Sequence, residues 1–328
     1  MNVVPEDLLV HFVDRDDFCH PEWPAIFEKV KALELNDEQR KVFYRELVLV
    51  WLNRIKEKMA GYEITESENF FLLLNSAAKP VPELLSFLEK TRVTIHQSLR
   101  DMVQTTEPGK HVILLFDAEE DYYRYLAPFY PEGDFPLSVG VILDQGGYSH
   151  VLLHYIDGAV WGSLAYLYAK NCLHSLLLPD WLGIGLGKFF EGLLLPHVKT
   201  RFLGRIERFK ISVEECEQHD AYWNEDTIQD FWAGRCWEGL DESGKLSYQL
   251  AEIIMNKITG TIRPSPDSLR AFIKEAGQED SGEAAAQTYL KISLGDLVAD
   301  FLGEGDWAPH PDRWVVNEES VKAEGDSA

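Results

Sequence analysis

A long apolar stretch, residues 158–179, most constrains how this chain can fold. Lys170 is the one charged residue within it. A helix that is apolar on every side belongs in a protein interior or in a membrane. A membrane span is disfavoured because polar side chains interrupt the stretch and Pro179 ends it. The sequence therefore predicts a buried central helix, followed by a second helix from Trp181 to about Leu195.

The second helix opens with a distinctive frame of residues. The frame consists of Pro179, Trp181, Leu182, Gly183, Ile184, Gly185, Leu186, Gly187, Phe189, Phe190 and Glu191. It resembles the gluzincin, or peptidase-MA-like, zinc peptidases, in which a His-Glu-x-x-His helix precedes a helix that opens Pro-x-Trp-Leu-x-Glu-Gly-Leu-Ala. The resemblance covers roughly residues 65–195. It implies an α+β fold with a zincin-like core: a small mixed sheet with a hairpin and a central motif helix, with helical N- and C-terminal extensions.

The positions that carry the zinc chemistry in that family are altered here. By the family's spacing, His-Glu-x-x-His falls on residues 170–174, and the ligand Glu of the second helix falls on Ile184. Lys170 has no lone pair for a metal at neutral pH, Asn171 cannot act as a general base, and Ile184 has no ligand atom. His174 alone is retained. The degenerate motif positions are Lys170, Asn171, His174, Trp181, Ile184, Gly185 and Glu191. The resemblance therefore implies the fold without catalytic residues, metal or other cofactor.

Lys170 carries the one charge of the apolar helix, and burying an unpaired ammonium is costly. Two interpretations stay open. Its nitrogen either pairs with an acid near the lost metal position, with Glu191 as one candidate, or reaches the surface along its flexible stem.

Two other constellations were weighed as sites. His150 and His154 have the spacing of a zinc helix, but the surrounding residues alternate as a strand. With His174 they form an alternative metal-ligand set. Gly183, Gly185 and Gly187 lack the preceding strand that a phosphate-binding loop needs.

Charge and cysteine content limit the classes of partner. The chain has 328 residues and a net charge of −24, from 31 basic and 55 acidic residues. Such a surface repels phosphate backbones and anionic lipids, so neither nucleic acid nor a membrane is expected as a partner, whereas a basic protein or peptide is permitted. The four cysteines form no C-x-x-C pair, and the N-terminus does not resemble a signal peptide, so we expect a cytoplasmic protein.

The resemblance, the periodicity and the composition together predict four segments: a mostly helical segment 1–60, a core 61–200 that resembles peptidase-MA domains, a helical subdomain 201–314 and an acidic, disordered tail 315–328. Within them, Asn36 and Gln39 form a capping box for a long helix, and residues 111–116 form a buried strand. A hairpin turns at residues 144–147. Ser67–Leu74 is predicted as a strand, and further helices are predicted at 202–209, 226–237, 245–258, 265–276, 284–289 and 294–301.

Together these patterns predict a catalytically inactive zinc-peptidase-like protein that binds a peptide or a protein partner. The retained groove would accept an extended peptide by strand addition. Two alternatives remain: an active metal-dependent hydrolase with non-standard ligands, and an acidic structural or immunity-type interaction protein.

Overall fold

The computed structural model describes residues 4–77, 79–103, 109–130, 140–195, 212–237 and 242–314. The chain divides into two compact units, Met1–Ser175 and Leu176–Ala328. The boundaries predicted after residues 60, 200 and 314 stay predictions, because compactness alone does not define a domain.

The first unit begins with a small antiparallel ribbon and three helices. The ribbon pairs β1 (Phe12–Arg15) with β2 (Phe18–Pro21), and the helices are α1 (Glu6–Leu9), α2 (Trp23–Lys31) and α3 (Asp37–Lys58). The predicted capping box is confirmed at the start of α3. The Asn36 side chain accepts from the Gln39 N–H, and the Gln39 side chain accepts from the Asn36 N–H.

A five-stranded mixed sheet forms the centre of this unit. Its strands are β3 (Tyr62–Glu66), β4 (Phe70–Asn75), β5 (His111–Phe116), β6 (Gly140–Asp144) and β7 (Ser149–His154), in the order β3-β4-β5-β7-β6. The three central strands are parallel, whereas β3 and β6 run antiparallel to their neighbours at the two edges. The predicted strand at 111–116 and the predicted hairpin are therefore confirmed.

Helices α4 (Val81–Leu99), α5 (Glu119–Leu126) and α6 (Val160–Leu173) complete the unit. Since side chains alternate along a strand, the two faces of the sheet bury different residues. One face joins the core built with α2, α3 and α5 and contributes Phe71, Leu73, Val112, Leu114 and Leu152. The other face packs on α6, whose Tyr168 ring lies 5.1 Å from Phe70 and 5.0 Å from His111. A ring contact of 5.3 Å between Phe87 and Trp161 joins α4 to α6.

Described residues of the second unit form helices. These are α7 (Asp180–Leu194), α8 (Val213–Tyr222), α9 (Thr227–Trp232), α10 (Glu242–Lys257), α11 (Pro266–Glu275), α12 (Glu283–Ala285) and α13 (Leu294–Leu302). Wider, π-helical turns follow α10 and α12, at Ile258–Ile262 and Ala286–Leu290.

Gln229 on α9 forms hydrogen bonds with the segment that follows α13. Its amide nitrogen donates to the Ala308 carbonyl at 2.8 Å. Its amide oxygen accepts from the His310 N–H at 2.8 Å and from Trp314 Nε1 at 3.0 Å. One buried side chain thus anchors residues 308–314 at three points.

Several element boundaries differ from the sequence predictions for identifiable reasons. The strand predicted from Ser67 begins at Phe70, because the Glu89 carboxylate accepts hydrogen bonds from Ser67 Oγ and from both nitrogens of Asn69. The helix predicted at 226–237 ends at Trp232, and Gly234 follows with a positive φ of 79°. The apolar helix ends at Leu173, and a short 3₁₀ turn, His174–Leu176, follows it.

Two predicted features, the helix at 202–209 and the tail 315–328, lie outside the described residues. Over the described ranges, no helix combines the length and the hydropathy required to cross a lipid bilayer.

Candidate functional site

The motif residues of α6 lie on its partly exposed face. Lys170 and Asn171 are half-buried, and His174 is exposed, whereas Cys172 and Leu173 between them are buried. Lys170 Nζ lies 5.8 Å from the centre of the Tyr166 ring, one turn back towards the start of the helix. The Asn171 side-chain oxygen is shielded from solvent and has no hydrogen-bond partner among the described residues. Lys170, Asn171 and His174 thus share one partly exposed face.

This face of α6 runs alongside the edge strand β6. A Cβ built on Gly140, at the start of β6, would lie 2.5 Å from Leu167 Cδ1 and 2.9 Å from the Leu152 carbonyl oxygen. At the other end of the strand, Asp144 Oδ2 lies 3.7 Å from His174 Nε2. The helix and the strand therefore run in the same direction. We call the surface between them the α6–β6 groove, defined by Gly140, Ile142 and Asp144 on the strand, by Leu167 and Asn171 on the helix and by His174 in the turn that follows it.

The hairpin geometry fixes which backbone groups of β6 point outwards. Gln145 N–H donates to the Tyr148 carbonyl at 2.9 Å across the two-residue Gly146-Gly147 turn. In an antiparallel ladder, hydrogen-bonded and non-hydrogen-bonded pairs alternate, so Leu143 and His150 bond each other while Ile142 directs its N–H and C=O away from β7. Among the described residues, β6 is an outer strand of the sheet.

The turn that positions β6 is held by α2. Gly146 and Gly147 have φ values of 63° and 98°, which two-residue hairpin turns require and which glycine adopts readily. A Cβ at Gly146 would lie 2.7 Å from Pro24 Cγ, and the Tyr148 ring stacks on Trp23 with centroids 3.7 Å apart. The N-terminal helices therefore fix the open end of the groove.

The remaining motif positions lie on α7 in the second unit. Trp181 is fully buried and donates its Nε1 hydrogen to the Ser281 carbonyl at 2.9 Å. Ile184 is also buried, and Glu191 pairs with Lys188 on the same helix at 2.9 Å. A pairing between Lys170 and Glu191 stays a prediction.

Packing explains the glycine at position 185. A Cβ there would lie 2.9 Å from the Ala251 carbonyl oxygen and 3.1 Å from Met255 Cβ, so α10 lies directly against the α7 backbone. Gly183, two residues earlier, has no atom within 4 Å of such a Cβ. Of these two glycines, Gly185 therefore lies at a close contact between α7 and α10, and Gly183 does not.

His150, His154 and His174 do not converge on one point. His150 is buried, with Nε2 3.0 Å from the Tyr125 hydroxyl and its ring 4.9 Å from that of Trp51. His154 Nε2 lies 3.3 Å from the Asp117 carbonyl oxygen. His150 shares its face with Leu143, opposite the face of Asp144 and His174. No cluster of three or more His, Cys, Asp or Glu side chains suited to a metal occurs in the described part of the chain.

Burial gives His150 the electrostatics of a core residue. Desolvation, followed by the nearby His20 ring, lowers the pKa of His150 to about 3. Desolvation likewise lowers the pKa of His20 to about 4. Both rings adjoin Tyr125, with centroids 5.9 Å and 4.6 Å from it. Both histidines are therefore neutral at physiological pH.

The four cysteines are free thiols, and three of them, Cys19, Cys172 and Cys236, are buried. Burial raises the pKa of Cys19 and of Cys236 to about 11, so neither forms a thiolate readily.

No motif in the sequence marks Gly140, Ile142 or Asp144 as site residues. The alternation Gly-Val-Ile-Leu-Asp before the Gly-Gly turn indicates which of them share a face. That β6 is an edge strand depends on the strand order, which the local pattern does not contain.

A comparison with models of known protein families finds no match to this chain, and a comparison with curated proteins finds no similar sequence.

Proposed function

We propose that this protein is a binding module for an extended peptide or protein segment, built on a zinc-peptidase-like scaffold whose metal ligands have been replaced. The observation that carries the proposal is the α6–β6 groove, where the degenerate motif face lies beside an edge strand. A strand added at β6 would gain main-chain hydrogen bonds from Ile142 and contacts with the half-buried face of α6.

The order of elements supports the zincin-like scaffold. From α4 onwards the chain runs helix, strand, helix, hairpin, helix and helix, as the resemblance to peptidase-MA-like domains implies. The altered residues support the loss of catalysis. Lys170 stands where the family has a first zinc ligand, and Asn171 stands where it has the general base. An ammonium and an amide supply neither function at neutral pH.

The decisive experiment removes one outward-pointing backbone N–H, that of Ile142. Proline is tolerated on edge strands when the lost N–H faces outwards, so Ile142→Pro should leave the β6–β7 ladder intact. Ile142→Val keeps the N–H and is the matched control. The probe is a set of blocked heptapeptides that alternate threonine and valine around one variable central residue, with affinity measured by fluorescence anisotropy.

We expect the wild-type protein and Ile142→Val to bind members of this set. Ile142→Pro should bind about tenfold more weakly, since a hydrogen bond contributes about 0.5–1.5 kcal/mol and the proline ring also obstructs the added strand. Absence of binding by every peptide, or equal binding by Ile142→Pro, would refute the proposal. Hydrogen exchange of β7 checks that the variant keeps its fold.

The hydrolase alternative makes a different prediction. Protein purified without added zinc should then contain stoichiometric metal by mass spectrometry, and an active hydrolase would cleave the heptapeptides. His150 and His154 lie on one face of the sheet and His174 lies beside Asp144 on the other, so this alternative requires other ligands.

A cytoplasmic location forms part of the proposal. The four free thiols support it, because secreted proteins of the oxidising compartments commonly pair their cysteines. A fluorescently tagged chain, imaged in the native cell, tests it.

A further inference from the structure

The two ends of the α6–β6 groove differ in exposure to solvent and in charge. At the Gly140 end, Leu167 approaches so closely that a Cβ on the strand would not fit. At the other end, the Asp144 side chain is 34% exposed, and the neighbouring His174 side chain is 58% exposed. At the Asp144 end, a side chain of the bound strand can therefore reach the exposed Asp144 carboxylate.

Asp144 retains the capacity to accept strong hydrogen bonds. The distance of 3.7 Å from Asp144 Oδ2 to His174 Nε2 is longer than a hydrogen bond. The contact of Asp144 Oδ1 with the Gly147 N–H is also long, at 3.4 Å. A carboxylate has about four lone-pair sites, so most of the capacity of Asp144 remains available to an arriving cation.

Lys170, beside the groove, belongs to the turn of α6 that precedes His174. Lys170 Nζ lies near Tyr166, which is one turn before Lys170 on α6, whereas His174 lies one turn after it. The ammonium therefore lies near the turn of α6 that contains Tyr166. The net charge of −24 adds a long-range attraction for a basic ligand.

We infer that the α6–β6 groove selects a peptide segment carrying an arginine or lysine, whose cationic group pairs with Asp144 beside His174. This inference rests on the proposed function, because it assigns a side-chain preference to the strand that β6 binds. Alternate side chains of an added strand face the helix side of the sheet, as Ile142 and Asp144 do. The basic residue then lies on the same face as Asp144, and its neighbours point away from α6.

The test compares charge at a single position of the ligand. Four of the blocked heptapeptides carry arginine, lysine, citrulline or glutamate at the centre and are otherwise identical. Citrulline keeps the shape and most donors of arginine but has no charge. Binding is measured with the full-length protein, with Asp144→Asn, which keeps one oxygen acceptor for the hairpin, and with the charge-reversal variant Asp144→Arg.

For the wild-type protein we expect arginine to bind roughly 5- to 20-fold more tightly than citrulline, because charge-assisted hydrogen bonds are about twice as strong as neutral ones and this site is partly exposed. The glutamate peptide should bind most weakly. Asp144→Asn should abolish the arginine preference, and Asp144→Arg should make glutamate the preferred residue. The preference should also decrease as salt rises from 50 to 500 mM.

Failure of the inferred preference and failure of the proposed function give different results. If all four peptides bind with equal affinity and Ile142→Pro weakens all of them, the groove is a peptide site and the inferred preference is wrong. If the arginine preference persists in Asp144→Asn, the cation pairs elsewhere and the inference is also wrong. If no peptide binds, the proposed function itself fails.

Discussion

Gly185 offers a quantitative test of how α7 packs. Replacing it with alanine has two opposed effects. Alanine is favoured over glycine inside a helix by about 1 kcal/mol. The new Cβ, however, would lie 2.9 Å from the Ala251 carbonyl oxygen and 3.1 Å from Met255 Cβ. Because the first of these atoms is backbone, α7 and α10 must move apart.

Gly183→Ala is the matched control on the same helix. It carries the same gain in helix propensity, and its Cβ meets no atom within 4 Å. The difference between the two variants therefore isolates the steric cost, which for an overpacked interior is about 1–3 kcal/mol. We expect Gly183→Ala to stabilise the second unit slightly and Gly185→Ala to be less stable than Gly183→Ala by this amount.

Hydrogen exchange measured by mass spectrometry on peptides from α7 and α10 reports the local opening free energy. The expected difference corresponds to roughly 5- to 150-fold faster exchange in Gly185→Ala than in Gly183→Ala. Equal protection in the two variants would refute the close contact between α7 and α10.

Three further predictions concern the pH dependence of stability and the hydrogen bonds that Gln229 makes to residues 308–314. Hydrogen bonding from Arg45, with a further contribution from Lys110, lowers the pKa of Glu66 from 4.5 to about 2, so the stabilisation is present above pH 4.5 and is lost as the pH falls towards 2. Glu66→Gln should lower the free energy of unfolding by up to about 1 kcal/mol at pH 7, after allowance for solvent screening, and most of this effect should be lost at pH 2, as measured by urea denaturation. Burial lowers the pKa of His150 to about 3, so the unfolded state binds the proton first and the free energy of unfolding falls between pH 6.5 and 3. His150→Phe should flatten this dependence. An unchanged slope of the unfolding free energy against pH, measured by urea titrations, would contradict the prediction. Gln229→Leu should remove three hydrogen bonds and speed hydrogen exchange in residues 308–314, and unchanged protection there would show that the segment is held by other contacts.

The sequence predicted elements best where the determining residues are neighbours. The capping box at Asn36 and the Gly146-Gly147 hairpin turn depend on residues a few positions apart, and both are confirmed. The apolar run 111–116 is likewise a strand because it is buried on both faces of the sheet.

Predictions from local pattern were wrong where a distant residue decides the structure. Ser67 and Asn69 read as strand residues, but Glu89 on α4 holds them in a turn. The N-terminal ribbon went unpredicted, and part of what holds it lies in α3, where Trp51 Nε1 donates to the Cys19 carbonyl. Neither partner is visible within a local window of the sequence.

The candidate site likewise contains one residue that the local sequence identifies and one that it does not. His174 was identified from the motif spacing, and the structure places it at the open end of the groove. Its companion Asp144 was not identified, because only the strand order brings the end of β6 next to the end of α6.

The stack of Trp23 on Tyr148 has a consequence for protein synthesis. Its two rings are 125 positions apart in the chain, so the first helices cannot complete their packing when they leave the ribosome. At about 5–20 residues per second, translation takes roughly 6–25 s to deliver Tyr148 after Trp23. During that interval the indole rings of Trp23 and Trp51 lack their contact with Tyr148, so the nascent N-terminal segment exposes apolar surface that the finished protein buries.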